Sequence, residues 1–557
     1  MSFSGEKVHI RLLFILLSFF LFFPFYAQSE TFYQISDVSY ELDKTREKDL
    51  KRVVPLDTER IFKSRQELES YLQDLHQRLM NTRAFQEVKI ISPLENSNEE
   101  NHAGLFETEN LNEEETSLYS ETSPDEIKKI SLKISAQDSK HLLILPYPKY
   151  DSNSGFIFKI KVKDVNFLGT MNTLDFGLFT GLKEDTSSSE QNLTFGGEFN
   201  YRYPFYAGPF VCSWNNSFDL EYTCGIRELE FHTGTGLTFT LPFKRFSFVL
   251  DVSEKINRDL EYETYNDATH FTSDLNLSMP VKIAEIENWG FVYWTPYVDG
   301  KASYDKDGIN IKNDDLASPV LSMGQAISTT RINWYGNFRS GLSAKIGHSL
   351  GYDFKQDETE PRLFGEIQAF KSFSYVGINT RLTAFLTKSN RGMVGNLIRG
   401  VRDKQKYVNY DGKEIGTTRA LKSSSAIVLN IDIPIHLITT RWLDWSDAIF
   451  GEDSWFSRTF AWTDKFNFEL QASPFVDIAL TKNEVTGRLF DLRDGWYTGG
   501  IEFLVFPERW KGIVMRASLG IDLGRAIIAK NYPSKIDMSW RENVKKYEIY
   551  AGIGLHY

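Results

Sequence analysis

From about residue 141 to residue 557 the chain alternates apolar and polar residues with a period of two, and this rhythm constrains its fold more than any other feature. Successive side chains of a strand point to opposite sides. Phe156, Phe158, Ile160 and Val162 therefore share one face, and Lys159, Lys161 and Lys163 share the other. The end of the sequence repeats the pattern. Tyr547, Ile549, Ala551, Ile553, Leu555 and Tyr557 stand against Glu548, Tyr550, Gly552, Gly554 and His556. Short turns (Phe167–Thr170, Tyr206–Pro209) alternate with longer polar loops (Glu184–Gln191, Lys306–Ala317, Lys355–Arg362). One apolar face, one polar face, and turns and long loops at opposite ends describe a transmembrane antiparallel β-barrel, a membrane all-β fold. Backbone groups in lipid find no water, so such a sheet must close on itself. About eighteen runs of this kind can be counted.

The first residues give the address. Lys7 and Arg11 precede the apolar run Leu12–Phe23, and Pro24 and Ala27-Gln28-Ser29 follow it. This reads as a signal peptide over 1–29, cleaved after Ser29. Beyond it no run reaches the 18 or so apolar residues of a membrane-spanning helix. Export plus a barrel implies the bacterial outer membrane. The net charge of −12 argues against nucleic acid as a partner. Much of that charge is local: eleven acidic residues and no Lys or Arg lie between Glu95 and Glu126. Such a block cannot bury a core and is expected to be a solvated insertion, 95–126. Cys212 and Cys224 are the two cysteines of the chain, too few for a disulfide scaffold, and are expected to be free thiols.

Ahead of the barrel, 30–140 reads as a small α+β domain interrupted by the acidic block. Tyr33–Tyr40 has strand character. Ser64 and Glu67 form a capping box. Leu68, Tyr71, Leu72, Leu75 and Leu79 then follow helical spacing to about Asn81. Phe85–Ile91 and Ile127–Ile134 are two further strands. Strand, helices, strand, strand resembles a POTRA domain, most closely over Asn81–Ile90. POTRA modules bind extended clients by adding a strand to a sheet edge. A structural plug or spacer is the plainer alternative.

Within the barrel region, the loop of about thirty residues from Asn390 to Arg419 carries Asn396-Leu397-Ile398-Arg399-Gly400-Val401-Arg402-Asp403. Parity on the following strands puts Ile427, Leu429, Ile431 and Ile433 towards lipid and Val428, Asn430 and Asp432 towards the lumen. On the next strand Phe466, Phe468, Leu470 and Ala472 point outward, and Glu469, Gln471, Ser473, Phe475 and Asp477 point inward. A guanidinium entering the lumen can pair with such carboxylates bidentately. Gly400 lets the backbone turn without steric cost.

Ile398-Arg399-Gly400-Val401 resembles the (Val/Ile)-Arg-Gly-(aromatic) motif of the sixth extracellular loop in the BamA/TamA outer-membrane assembly superfamily, also known as a surface antigen family. Phe475-Val476-Asp477 resembles that family's Phe-x-Asp motif on the neighbouring wall. Signal peptide, POTRA-like domain, the segment Asp151–Gly169, loop motif, Phe-x-Asp strand and terminal strand occur in family order across nearly the whole mature chain. The resemblance implies that Arg399 inserts into the lumen and contacts Asp477. It also implies sixteen strands over 141–557, preceded by one POTRA-like periplasmic domain. Tyr557 at the end of an apolar-faced strand looks like the terminal targeting signal of such barrels. Three departures stand out. Val401 replaces the aromatic, which suggests looser packing at the loop tip. Asn430 stands where a glutamate is expected, with Asp432 as a substitute. One POTRA-like domain is visible where BamA and TamA carry several.

The seam of the barrel is expected where the first strand, His141–Pro148, meets the last. Pro146 and Pro148 lack the N–H of a ladder, and Gly552 and Gly554 pair and pack weakly. In this family such a gate is where client strands are thought to enter. A tryptophan-rich connector, His436–Lys465, follows Pro434 and reads as a segment of the membrane interface. A docking surface for a periplasmic accessory protein is its rival reading. There is no nucleophile elbow, P-loop or zinc spacing, and Asp305–Asn310 has only a faint calcium-loop look. The expectation is therefore no enzyme, no cofactor and no metal. The protein would fold and insert outer-membrane β-barrel proteins without nucleotide, with unfolded clients and outer-membrane lipids as its partners. The alternatives are a passive transport or secretion pore and a structural surface antigen.

Overall fold

A computed structural model describes residues 32–92 and 127–557, apart from 152–154, 185–190, 226, 261–266, 287–288, 310–315, 317–318, 389–391, 402–403, 406–418, 452–453, 484–485 and 538–545. The expected signal peptide, the acidic insertion, Arg402 and Asp403 lie outside the described residues.

The described chain divides into two compact units. One holds 32–41, 56–76, 89–92 and 127–134; the other holds 42–55, 77–88 and 135–557. The segments 42–55 and 77–88, which the sequence assigns to the small domain, thus cluster with the barrel unit.

The N-terminal elements are β1 (Phe32–Leu42), α1 (Glu47–Val53), β2 (Ile61–Phe62), α2 (Arg65–Asn81), β3 (Phe85–Ile91) and β4 (Ile127–Asp138). The four strands form one sheet in the order β2-β1-β4-β3. Alternation fills its core: Ile130, Leu132 and Ile134 of β4 are buried, as are Leu68, Leu72 and Leu75 of α2. The helix start differs from a full capping box. Ser64 Oγ accepts from Glu67 N at 3.1 Å, but the Glu67 carboxylate accepts from Lys63 N at 2.9 Å, one residue before the cap.

The second unit contains the closed barrel. Its strands are β5 (Leu142–Asp151), β6 (Gly155–Asp164), β7 (Leu174–Glu184), β8 (Gln191–Ala207), β9 (Phe210–Thr223), β10 (Glu228–Pro242), β11 (Ser247–Arg258), β12 (Thr269–Ser278), β13 (Val281–Ile286) and β14 (Gly290–Tyr304). They continue with β15 (Val320–Tyr335), β16 (Phe338–Asp353), β17 (Glu358–Ser372) and β18 (Gly377–Thr387). Four two-residue strands, β19 (Gly392–Met393), β20 (Lys404–Gln405), β21 (Arg419–Ala420) and β22 (Lys422–Ser423), belong to the long loop. The wall resumes with β23 (Ser425–Asp432), β24 (Ile435–Thr439), β25 (Phe468–Thr481), β26 (Trp496–Pro507), β27 (Met515–Asp522) and β28 (Tyr547–Ile553).

Every pairing around the ring is antiparallel, and β28 meets β5 to close it. The order contains twenty strand segments, but β12 and β13 both lie on β14, and β23 and β24 both lie on β25. Merging each of these pairs, interrupted before Pro280 and Pro434, leaves eighteen strands among the described residues. This corrects the family-based expectation of sixteen. The alternating runs are all used as wall, because each finds a register partner on both sides. The loop expected at Lys355–Arg362 also contracts, since β17 already begins at Glu358 and pairs with Asp353.

The outward face is apolar: Leu275, Leu321, Met323, Ile346, Leu350 and Leu363 are all exposed. Inward positions are polar and enclosed. Lys159 pairs with Glu198, and Lys161 lies 3.0 Å from Asp175. No helix among the described residues is long and apolar enough to cross a membrane, which leaves crossing by strands untouched. Cys212, buried on β9, and Cys224, just after it, are free.

Candidate functional site: a loop anchored in the barrel lumen

The connection from β18 to β23 carries the arginine motif. Its residues pack as a small core of their own. Val394, Ile398, Val401 and Leu421 of the loop bury against Ala426, Val428, Ala479 and Trp496 of the wall, with Phe385 and Leu397 alongside. Val401 is 1% exposed. Looser packing at this position, expected from the missing aromatic, is not what the structure holds: Val401 is buried in the same cluster as Trp496 of β26 and Leu421.

Inside this shell Arg399 is 6% exposed and Asp477 is fully buried. The Arg399 backbone N donates to Asp477 Oδ2 at 2.8 Å, its Nε to the same oxygen at 3.0 Å, and its Nη2 to Asp477 Oδ1 at 2.8 Å. Nη1 donates to Asp432 Oδ1 at 2.7 Å. The guanidinium lies over the Phe475 ring, 3.7 Å from its centroid. The fork geometry of arginine suits two carboxylates on adjacent strands, which a lysine point charge cannot satisfy together. The register explains the convergence. Asp432 pairs with Phe475 and Asn430 with Asp477, so the four inward side chains form one patch of β23 and β25. Asn430 contributes separately, since its Nδ2 donates to Leu397 O at 2.8 Å and holds the loop just ahead of the arginine.

Three partners were not singled out by sequence reasoning. Glu502 of β26 lies 3.8 Å from Arg399 and 3.4 Å from Arg516, adding a third carboxylate. Glu548 of β28 accepts from Gly400 N at 2.5 Å. Gly520 of β27 lies directly under Gly400, whose φ of +80° favours glycine. The inward parity of Glu548 was legible; its partner, more than a hundred residues away, was not.

Among the described residues, β28 and β5 share two register pairs, Tyr550 with Asp151 and Ala551 with Tyr150. The neighbouring β5–β6 ladder runs from Leu142 to Asp151, through Pro146 opposite Ile160 and Pro148 opposite Phe158. The two prolines therefore sit inside a continuous β5–β6 pairing, while β28 pairs only beyond them. Gly552 pairs with Arg516 of β27.

Leu555 and Tyr557 depart from the expected outward alternation. β28 stops at Ile553, and Gly554 (φ +104°) turns the chain. Leu555 packs against Leu504, Phe506 and Val514. Tyr557 reaches the inward side of β16 and β18. Its backbone O accepts from Arg339 Nη1 at 2.7 Å, and its hydroxyl donates to Asn379 O at 3.2 Å. Asn379 is the register partner of Asp432, so the last residues lie beside the anchored arginine cluster.

Fold and lumen together define a closed antiparallel barrel with an internally anchored loop. Among solved structures the chain is similar to CdiB from Acinetobacter baumannii, at 11% identity and a TM-score of 0.43, over 93% of this chain and 73% of that one. It is similar to CdiB from Escherichia coli at 8% identity and a TM-score of 0.41, over 93% and 76%. It is also similar to BamA from Haemophilus ducreyi lacking POTRA domains 1–3, at 13% identity and a TM-score of 0.34, over 92% and 84%. No protein-family model and no curated protein sequence matches this chain.

Proposed function

We propose that this protein is an outer-membrane assembly factor that folds and inserts β-barrel clients through the seam between β28 and β5, without nucleotide. The limited ladder of that seam carries the reading: among the described residues, β28 pairs with Tyr150 and Asp151 of β5 and forms no ladder with 142–149. Unpaired strand edges are templates for another strand. The loop anchor supports the same reading, since Gly400 bonds Glu548 on β28 itself and so ties the anchored loop to one side of the seam. The four-stranded sheet is POTRA-like and periplasmic in this proposal, with β2 and β3 as its edge strands and unfolded clients as its ligands. Outer-membrane lipids surround the apolar wall, and periplasmic accessory proteins are further partners.

The test is a disulfide across the seam. Tyr550→Cys with Asp151→Cys, in a background with Cys212→Ser and Cys224→Ser, joins two register partners. Oxidation should stop insertion of client barrels and reduction should restore it; unchanged assembly by the oxidised protein would reject the proposal. A second reading, a passive transport or secretion pore, is favoured by one observation, the charged inner wall of Lys159, Lys161, Glu198 and Asp175. Steady conductance in planar bilayers, with depletion blocking one substrate and sparing other barrels, would select it.

A further inference from the structure

One connection at the short-turn end of the barrel is out of proportion. The others there range from the two residues 208–209 to the nine residues 165–173, whereas β24 and β25 are joined by 440–467. That connection forms α3 (Trp442–Phe450), α4 (Trp455–Phe460) and a 3-10 turn, Ala461–Phe466. It is rooted firmly. Thr440 N donates to Phe468 O at 2.8 Å, and Phe468 N donates to Thr440 Oγ1 at 2.8 Å. Trp442 Nε1 donates to Phe466 O at 3.3 Å, and the Trp442 ring lies 5.3 Å from Trp445 and 6.3 Å from Phe468.

Despite this anchoring, no described side chain between 441 and 467 is buried. Neither α3 nor the turn Ala461–Phe466 contains a buried residue. Ile449 is 73% exposed, Trp455 75%, Trp462 54% and Phe450 52%. This apolar surface adjoins the outward face of the barrel, where Leu437 and Ile438 of β24 are also exposed. A held, water-facing array of tryptophan, phenylalanine and isoleucine costs free energy unless something covers it. Its continuity with the outward wall points to the medium that covers that wall. Amphipathic helices with tryptophan and leucine-like residues on one side lie in the headgroup–acyl boundary. Most such helices add electrostatic attraction through Lys and Arg. Here Asp444, Asp447, Glu452, Asp453 and Asp464 outnumber Arg441, Arg458 and Lys465, so anionic headgroups offer no attraction.

We propose that 440–467 is a membrane-interface finger, seated in the leaflet at the short-turn end by Ile449, Phe450, Trp455 and Trp462 and held there by apolar contact alone. This rests on the reading of the barrel as membrane-embedded. The test uses the full chain with Cys212→Ser and Cys224→Ser, labelled with an environment-sensitive fluorophore at Trp455→Cys or Ile449→Cys. Leu350→Cys on the outward wall and Asp307→Cys in a loop at the opposite end are the references. The protein is reconstituted into phosphatidylcholine vesicles, with or without phosphatidylglycerol, containing lipids with shallow or deep nitroxides. Residues 449 and 455 should show blue-shifted emission quenched by the shallow nitroxide, unchanged by phosphatidylglycerol or salt. Quenching of 449 and 455 by aqueous iodide alone, with 350 still quenched by lipid, overturns the finger and leaves the barrel reading standing. Iodide quenching at 350 as well overturns both. A blue shift that requires phosphatidylglycerol, or an added periplasmic protein, also overturns the proposal.

Discussion

Gly520 and Gly400 meet backbone to backbone: a Cβ built on Gly520 would lie 2.6 Å from both Cα and N of Gly400. No side chain fits between the loop and the wall at that point. Gly520→Ala should therefore lift the loop from β27 and strain the Gly400–Glu548 bond. The expected outcome is faster proteolysis within 388–424 while the wall stays folded. Unchanged cleavage would show that the contact yields without consequence.

Arg399 joins the two strands after the loop through one guanidinium. Arg399→Ala leaves Asp432 and Asp477 buried without their cation, a defect that typically costs about 3–5 kcal/mol. Arg399→Lys keeps the charge but loses the fork, and should fall between Ala and the natural residue. Denaturant unfolding of the reconstituted protein measures the series. Asp477→Ala combined with Arg399→Ala should cost much less than the sum of the single changes, because the two groups act as a unit.

The turn at Gly554 sends Tyr557 across to Arg339. Arg339→Ala removes the donor to the Tyr557 backbone O and also the cation over the Phe370 ring, 4.1 Å away. Hydrogen exchange at 555–557 should rise sharply in that variant. Tyr557→Phe removes the hydroxyl that donates to Asn379 O but leaves Arg339 and its bond to the Tyr557 backbone in place, and should raise exchange less. Equal exchange in both variants would mean that the arginine does not hold the segment.

In the small sheet unit, Lys63 N and the Arg60 guanidinium hold the Glu67 carboxyl below the usual carboxylate range. A depressed folded-state value stabilises above the ordinary carboxylate pKa, and the gain is lost as pH falls through the lowered one. Amide exchange at Lys63 should thus stay slow, relative to intrinsic rates, from neutral pH down through the ordinary carboxylate range, and rise only below it. Glu67→Gln should abolish that pH dependence.

Much of the site could be read from local pattern. Alternation alone places Val428, Asn430, Asp432, Phe475 and Asp477 on one face, and the arginine loop precedes them in the chain. The same alternation misleads at the end of the chain, because a single glycine at positive φ cancels it after Ile553. Glu502 and Gly520 gave no local signal and Glu548 only its inward parity, since their roles exist only through contacts with a loop far away in sequence.

The sequence by itself determined which side chains face inward along each strand, because a period of two is a property of the extended backbone and needs no partner. It also determined where the small sheet's helix begins, through Ser64. The tertiary structure alone decided that all the alternating runs join the ring, which residues of β28 and β5 meet, and which carboxylates surround Arg399. Those depend on register between distant strands, and closure of a barrel fixes every register at once.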